Sequence, residues 1–390
     1  MQIIIELLLL LGASLILGEL FEKYGFPGIV GNILAGFILG PAIFGIVKPS
    51  SELSAIAEVS LFFIILLIGL EVTTNLIKKN IRKYSIFTFT GFILPASLIA
   101  VFLILVYHIG ATSSIITAIA IGTPSISIIS VLVLRYRLMR YQDGSVIIAS
   151  TVISDIIAFS ILAVLSNSSD TMYIVLALAI VFIALFAIDS LIKKHAFYIR
   201  RFFNRMSLTD SGERITFGLI IAAGLVFASI FQLIGITYVL GAFFAGMLIY
   251  DTIMGKKFYG RVSRTFKRIN YSFFIPLFFS IAGISAIFPS GIYIIFLFIA
   301  LGIIWLFSIV TYLMGRRLFE NINPVTGTGI IGSRGAVGIT IGSVAFAAGL
   351  ISINPYSIII LGTIILSLSM PLLISKKDKK NVKPLNDYKT

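Results

Sequence analysis

The chain reads as an all-α polytopic membrane protein of about thirteen transmembrane helices, built from inverted-topology repeats with broken crossing helices at spans 5 and 12. Three observations carry that reading. The 390 residues are 58% hydrophobic and 12% charged, with a mean hydropathy of +1.09, far from the values of a soluble globular chain. Apolar stretches long enough to cross a hydrocarbon core of roughly 30 Å recur from end to end and leave no room for a soluble domain. Basic residues gather in every other connecting segment, as in a chain threaded back and forth through a bilayer.

Hydropathy centres the spans near residues 12, 37, 65, 95, 123, 155, 181, 222, 244, 280, 304, 336 and 364. The opening "MQIIIELLLLLGASLILGELF" has no basic n-region and carries Glu6 in its apolar run, so it reads as the first span and not as a cleaved signal peptide. Lysine and arginine then fall at Lys23; at Lys78, Lys79, Arg82 and Lys83; at Arg135, Arg137 and Arg140; between Lys193 and Arg214; between Lys256 and Arg268; at Arg316 and Arg317; and after Ser375. These alternate loops hold 28 of the 30 basic residues; Lys48 lies in the opposite set and Arg334 inside a span. The positive-inside rule therefore expects a multi-pass protein of the cell membrane with its N-terminus outside and its C-terminus in the cytoplasm. One missed helix would scramble the alternation, so the charge pattern supports the span count. The lysine-rich segment 376–390 reads as a cytoplasmic tail near anionic headgroups.

The formal charge of +14 and the pI near 9.9 follow from this topology and give no support to a nucleic-acid partner. With no cysteine and only His108 and His195, disulfides are excluded and neither a thiolate nor a multi-histidine metal site is expected. No cofactor is indicated.

Span 5, "SSIITAIAIGTPSISIISVLVL", has Gly122, Thr123 and Pro124 at its midpoint, where proline removes a backbone donor and disfavours helix at the preceding residue. Span 12, "NPVTGTGIIGSRGAVGITIGSVAFAAGL", is interrupted by Gly327, Gly329, Gly332, Gly335 and Gly338. The two lie seven spans apart, at equivalent places in two six-span halves if span 7 is a connector. An odd offset also reverses their direction across the membrane, as an inverted repeat requires. Paired breaks of this kind bring carbonyls and half-helix dipoles to the midplane, where transporters bind ions. No residue-level repeat stands out, so the symmetry rests on hydropathy.

Between Val146 and Leu165 the only ionisable side chain is Asp155. A charged aspartate at a helix centre costs roughly 2.5 to 3.5 kcal/mol on insertion scales and persists mainly where it faces a bundle interior, an ion path or a proton relay. Thr151, Ser154 and Asp155 can offer oxygens from one side of span 6, since positions i and i+4 share a face. Thr123, Ser125 and Ser127 can add hydroxyls or freed carbonyls from the break in span 5. Ordinary interhelical hydrogen bonding is the competing role for each of these hydroxyls. Oxygen ligands around one carboxylate suit a hard monovalent cation, Na+ or K+, better than a transition metal. A proton and a cation competing for that carboxylate would suffice for exchange.

Arg334, the other midplane charge, is expected to be structural at the helix break, because a cation would repel the substrate. Glu6, Glu19, Glu58, Glu71, Asp189 and Asp251 lie toward span ends, where hydration makes charge cheap.

The segments "GFPGIVGNILAGFILGP", "LFFIILLIGLE", the "SD" of span 6, "GAFFAGMLI", "FFIPLFFSIAGI" and "SRGAVGI" together resemble the monovalent cation:proton antiporter superfamily, especially its NapA-type and Kef-type branch. The resemblance covers the whole membrane region in order. It implies a homodimer with an elevator-like motion, and helices divided as 1–79 dimerisation spans 1–3, 80–167 core spans 4–6, 168–210 linker span 7, 211–290 dimerisation spans 8–10 and 291–375 core spans 11–13. It also implies that Asp155 is the ion-carrying aspartate. Electrogenic members have a second acid before that aspartate, where this chain has Ser154, and many place a lysine in a core helix, where "LFSIVTYLMGRRL" puts Ser308. Ala336 follows Arg-Gly where that branch usually has Glu, and in this it resembles electroneutral members.

The reading is a secondary active Na+/H+ antiporter, not an enzyme, with Na+ (or K+ or Li+) and H+ as its partners in the lipid bilayer and electroneutral 1:1 exchange at Asp155. The alternatives are a Kef-like K+/H+ transporter and, from another class, a passive cation channel. An intramembrane hydrolase would need a second catalytic group beside Asp155, and a receptor would leave Asp155 and both breaks unexplained.

Overall fold

A computed structural model describes residues 2–24, 26–71, 81–125, 129, 144–166, 171–206, 209–234, 236–319 and 323–373. Ser127 and the tail 376–390 lie outside the described residues. Among the described residues the chain is helical, without strands beyond one isolated bridge between Pro124 and Arg334. The helices in order are α1 (Gln2–Lys23), α2 (Gly28–Leu39), α3 (Ser51–Glu71), α4 (Ile81–Thr88), α5 (Leu94–Tyr107), α6 (Ala111–Gly122), α7 (Gly144–Ser166), α8 (Thr171–Lys194), α9 (Ala196–Met206), α10 (Asp210–Leu233), α11 (Tyr238–Met247), α12 (Asp251–Met254), α13 (Lys256–Ile269), α14 (Ile275–Ile284), α15 (Gly291–Met314), α16 (Pro324–Gly332), α17 (Ala336–Ala347) and α18 (Ile353–Leu373). Every hydropathy centre falls in one of these helices or, near residue 123, at a break. On length and composition, six described helices are long and apolar enough to cross a bilayer.

Local chemistry sets several boundaries. The Thr209 hydroxyl accepts from the Gly212 amide at 3.1 Å and starts α10. Asn323 caps α16 through the Val325 amide at 3.0 Å, with Pro324 in the first turn, where its missing N–H is no loss. Two prolines act inside helices instead. Pro95 follows a π-helical turn at Phe89–Ile93 that joins α4 to α5, and Pro276 follows another at Asn270–Phe274 that joins α13 to α14. Each proline removes an i→i−4 bond, and the wider turn before it takes up the mismatch.

The chain forms two compact units. One comprises Met1–Leu53, Lys78–Ala158 and Phe279–Thr390 and holds both interrupted helices and Asp155. Within it, Gly31 of α2 lies against the Leu17 carbonyl of α1, Gly36 against the Ser280 carbonyl of α14, and Gly283 of α14 against the Ile33 carbonyl of α2; a methyl at any of the three would collide with that backbone. The other unit comprises Ser54–Ile77 and Phe159–Phe278. Within it, Gly241 of α11 lies against the Phe227 carbonyl of α10, Gly246 against the Leu66 carbonyl of α3, and Gly69 of α3 against the Phe243 carbonyl of α11.

These contacts recur at corresponding positions of the chain, a repeat that sequence reading missed. Positions 17, 31, 33 and 36 correspond to 227, 241, 243 and 246, each 210 residues later, while 66 and 69 correspond to 280 and 283. The linking turns match too: Phe26 donates to Phe21 at 2.9 Å, and Ile236 to Phe231 at 2.8 Å. The stretches "FEKYGFPGIVGNILAG" and "FQLIGITYVLGAFFAG" share only Phe, two Gly and a final Ala-Gly. What the two stretches have in common includes the positions where backbones touch, and between helices in lipid it is close approach that stabilises packing.

Gly69→Ala and Gly283→Ala are each expected to destabilise the protein by about 1–3 kcal/mol, seen as a lower unfolding temperature in detergent. Gly12→Ala, whose methyl would meet nothing within 4 Å, should leave that temperature unchanged or slightly raised.

Candidate functional site

The first half of span 5, α6, ends at Gly122 because Pro124 cannot continue it; Thr123 is extended, with φ −68° and ψ 122°. Helix α16 ends at Gly332, Ser333 is extended at φ −67° and ψ 133°, and α17 resumes at Ala336. The two extended segments cross and pair antiparallel at Pro124 and Arg334, with the Ser125 amide donating to the Ser333 carbonyl at 3.2 Å. Gly122, Thr123 and Pro124 stand 210 residues before Gly332, Ser333 and Arg334, so the bridge joins equivalent positions of the repeat. Gly338 sits against the Ala120 carbonyl, and any side chain there would push the half-helices apart.

Arg334 is 1% exposed, and its guanidinium faces backbone oxygens. Nη1 donates to the Ile331 carbonyl at 3.0 Å and the Ser333 carbonyl at 3.2 Å, at the negative end of α16. Nη2 donates to the Gly91 carbonyl at 3.3 Å. That carbonyl lies four residues before Pro95, so its normal helical donor is absent. The Arg334 carbonyl in turn accepts from Ser367 Oγ of α18 at 2.6 Å.

Asp155 lies mid-way along α7 with 0% exposure, and neither carboxylate oxygen has a hydrogen-bond partner among the described residues. The hydroxyls of α7, of Thr88 and of the span 5 break commit their protons to backbone. Thr151 Oγ1 donates to the Ile147 carbonyl and Ser154 Oγ to the Ser150 carbonyl, both at 2.9 Å, while Thr88 Oγ1 donates to Ser150 as well at 3.1 Å. Thr123 Oγ1 donates to the Ile119 carbonyl at 2.5 Å. With its proton so placed, each hydroxyl keeps oxygen lone pairs that can only accept, as a cation requires.

The predicted residues thus fall into two groups. Thr123, Ser125 and Arg334 meet at the crossing, and Ser308 joins them: its Oγ donates to Ile304 at 2.7 Å, and a Cβ added at Gly332 would lie 3.2 Å from it. Thr151 and Asp155 share one face of α7, with Ser154 next to them. No hydrogen bond among the described residues joins Asp155 to the crossing.

Sequence reasoning missed the partners that fix the crossing: the Gly91 carbonyl, Ser367, Gly338, and the Thr311 to Thr90 hydroxyl bond at 3.1 Å beside the first π-turn. Pro95 was the available signal, since a proline inside an apolar helix frees the carbonyl four residues earlier.

Interrupted helices that cross at a paired backbone, in a chain that also buries a carboxylate without a hydrogen-bond partner among the described residues, are the construction of an inverted-repeat membrane transporter. Residues 8–375 match the transmembrane region of the sodium/hydrogen exchangers, and the chain belongs to that family. It is 25% identical to a Na(+)/H(+) antiporter of Enterococcus hirae, over 97% of this chain and 99% of the relative. It is 24% identical to the Na(+)/H(+)-K(+) antiporter GerN of Bacillus cereus, over 95% and 94% of the two chains. The fold is similar to that of the sodium proton antiporter MjNhaP1 from Methanocaldococcus jannaschii at pH 8, with a TM-score of 0.65, 15% identity, and 95% and 94% of the chains covered.

Arg334→Lys keeps the charge but cannot fork to three carbonyls. Each charge-assisted bond lost is worth about 1.5–3 kcal/mol, so the variant should unfold at a clearly lower temperature in detergent than wild type.

Proposed function

We propose that the protein is a monovalent cation/proton antiporter of the cell membrane that exchanges Na+ for H+ one for one at Asp155. The observation that carries this reading is a fully buried carboxylate with neither oxygen hydrogen-bonded among the described residues. A charge so placed is costly unless something neutralises it, and a proton or a small cation can each do so. Only one fits at a time, so each expels the other. Coupling follows if the helices change access only when Asp155 is neutralised.

Thr151 and Ser154 on α7, and Thr123, Ser125 and Ser127 of span 5, supply the further oxygens. Arg334 holds the crossing together and leaves the ion to the carboxylate. With Ser154 before the aspartate and Ser308 in the core helix, the site has one titrating charge, so a cation in and a proton out leave no net charge moved. The elevator-like motion carries residues 80–167 and 291–375 against 1–79 and 211–290 of a homodimer. The N-terminus is outside and the lysine-rich tail inside. A K+-carrying version of the same exchange is supported by the similarity to GerN, whose name includes K(+).

Proton flux in proteoliposomes, triggered by Na+, K+ or Li+ with the membrane voltage clamped, tests the reading. The expected result is cation-driven proton movement that is independent of voltage and lost in Asp155→Asn. Flux that survives in Asp155→Asn, or cation movement without counter-moving protons, would point to another carboxylate or to a channel. Because the chain has no cysteine, single Lys48→Cys and Lys380→Cys variants report topology directly. A membrane-impermeant maleimide added to intact cells should label the first and spare the second.

A further inference from the structure

Between the end of α8, helix α9, the middle of α10 and the end of α11, the unit of residues 54–77 and 159–278 contains an apolar cleft of about 250 Å³. Its walls include Ile192, Ile199, Phe203, Phe227, Leu248 and Ile253, and among the described residues no polar side chain lines it. The antiport reading makes no use of it.

The rim has the opposite character. Helix α9 lines the cleft with Ile199 and Phe203 and exposes Arg200, Arg201 and Arg205. Lys194 precedes it, and Lys256 and Lys257 follow the cleft residues Ile253 and Met254; all three are exposed. The acids on the adjoining elements are Asp189, Asp251 and, at the start of α10, Asp210 and Glu213, the last facing Arg261 at 3.5 Å. Asp189 is bound to Lys193 and accepts from the Tyr250 hydroxyl at 3.2 Å, and Asp251 also has a partner. The arginines and the remaining lysines therefore dominate the rim.

Helix α9 also exposes Phe197 and Tyr198, 72% and 71% accessible, beside its arginines. Aromatic rings next to basic side chains on a short amphipathic helix place it in the headgroup layer of a bilayer. An occupant must then offer an apolar chain to the cleft and an anionic group to the arginines. A second copy of this chain fits poorly, because its own basic rim would meet this one. We propose that the cleft binds an anionic glycerophospholipid of the cytoplasmic leaflet, one acyl chain between α8, α9 and α10 and its phosphate against Arg200, Arg201 and Arg205.

The test uses the full chain in nanodiscs containing phosphatidylglycerol or phosphatidylcholine, each with a photoreactive diazirine on an acyl chain. Peptides bearing Phe203 and Leu248 to Met254 should be labelled, roughly tenfold more from phosphatidylglycerol than from phosphatidylcholine. The triple variant Arg200→Gln, Arg201→Gln, Arg205→Gln should lose that preference. Ala223→Phe, which adds bulk to the cleft wall, should lose the label from both lipids. Equal labelling from the two lipids in wild type overturns the proposal, as does label confined to other peptides. Crosslinks from these peptides to a second chain in place of lipid would show that another copy fills the cleft, and would overturn it too. The wild-type measurement decides the matter even if a variant fails to fold. It is also independent of ion exchange, so a failed antiport reading would leave it standing.

Discussion

A backbone that leaves the helix inside hydrocarbon releases donors and acceptors with no water to take them, and the rest of this structure is arranged around that constraint. At residues 123–125 and 333–335 the released groups of one break satisfy those of the other, through the bridge at Pro124 and Arg334. The carbonyls left over at the end of α16 converge on the Arg334 guanidinium. Lysine could not replace it, because the two terminal nitrogens of a planar fork are needed to reach three carbonyls on two elements. The third carbonyl belongs to Gly91, so the same side chain ties the π-turn before Pro95 to the crossing. One charged residue thus unites two interrupted helices and a proline-strained one.

The two buried charges are treated in opposite ways. Arg334 is enclosed by carbonyls, while Asp155 is enclosed without a hydrogen-bond partner among the described residues. In the proposed reading this contrast is the mechanism: Nη1 and Nη2 of the structural charge are held by backbone carbonyls, with Nε alone unpartnered among the described residues, and the other charge is satisfied only by a cation or a proton. A carboxylate engaged as Arg334 is would hold a fixed charge and have less need of a cation.

Packing elsewhere follows from the absence of a hydrophobic driving force between helices in lipid. Glycines at 31, 36, 69, 241, 246 and 283 let carbonyls and helix backbones touch, and they do so reciprocally, α2 on α14 and α11 on α3. The repeat survives as a pattern of contacts rather than as a pattern of residues. Two prolines and their π-turns interrupt the α-helical pairing where an unbroken apolar helix would have been the default.

The sequence by itself determined the helical class, the places of the spans, the two breaks and the single mid-span carboxylate. Each depends on local properties, namely hydrophobic length, a proline or glycine cluster, and a charge without neighbours in the chain. Only the tertiary structure decided what those features do to one another. It paired Pro124 with Arg334, brought Ser308 to Gly332, gave the Gly91 carbonyl to a guanidinium 243 residues away, and left Asp155 unpartnered among the described residues. Hydropathy could not anticipate these contacts, because they join backbone atoms whose exposure depends on a partner far along the chain. The repeat was hidden for the same reason: what recurs is the closeness of two backbones, which a glycine permits and no single residue announces.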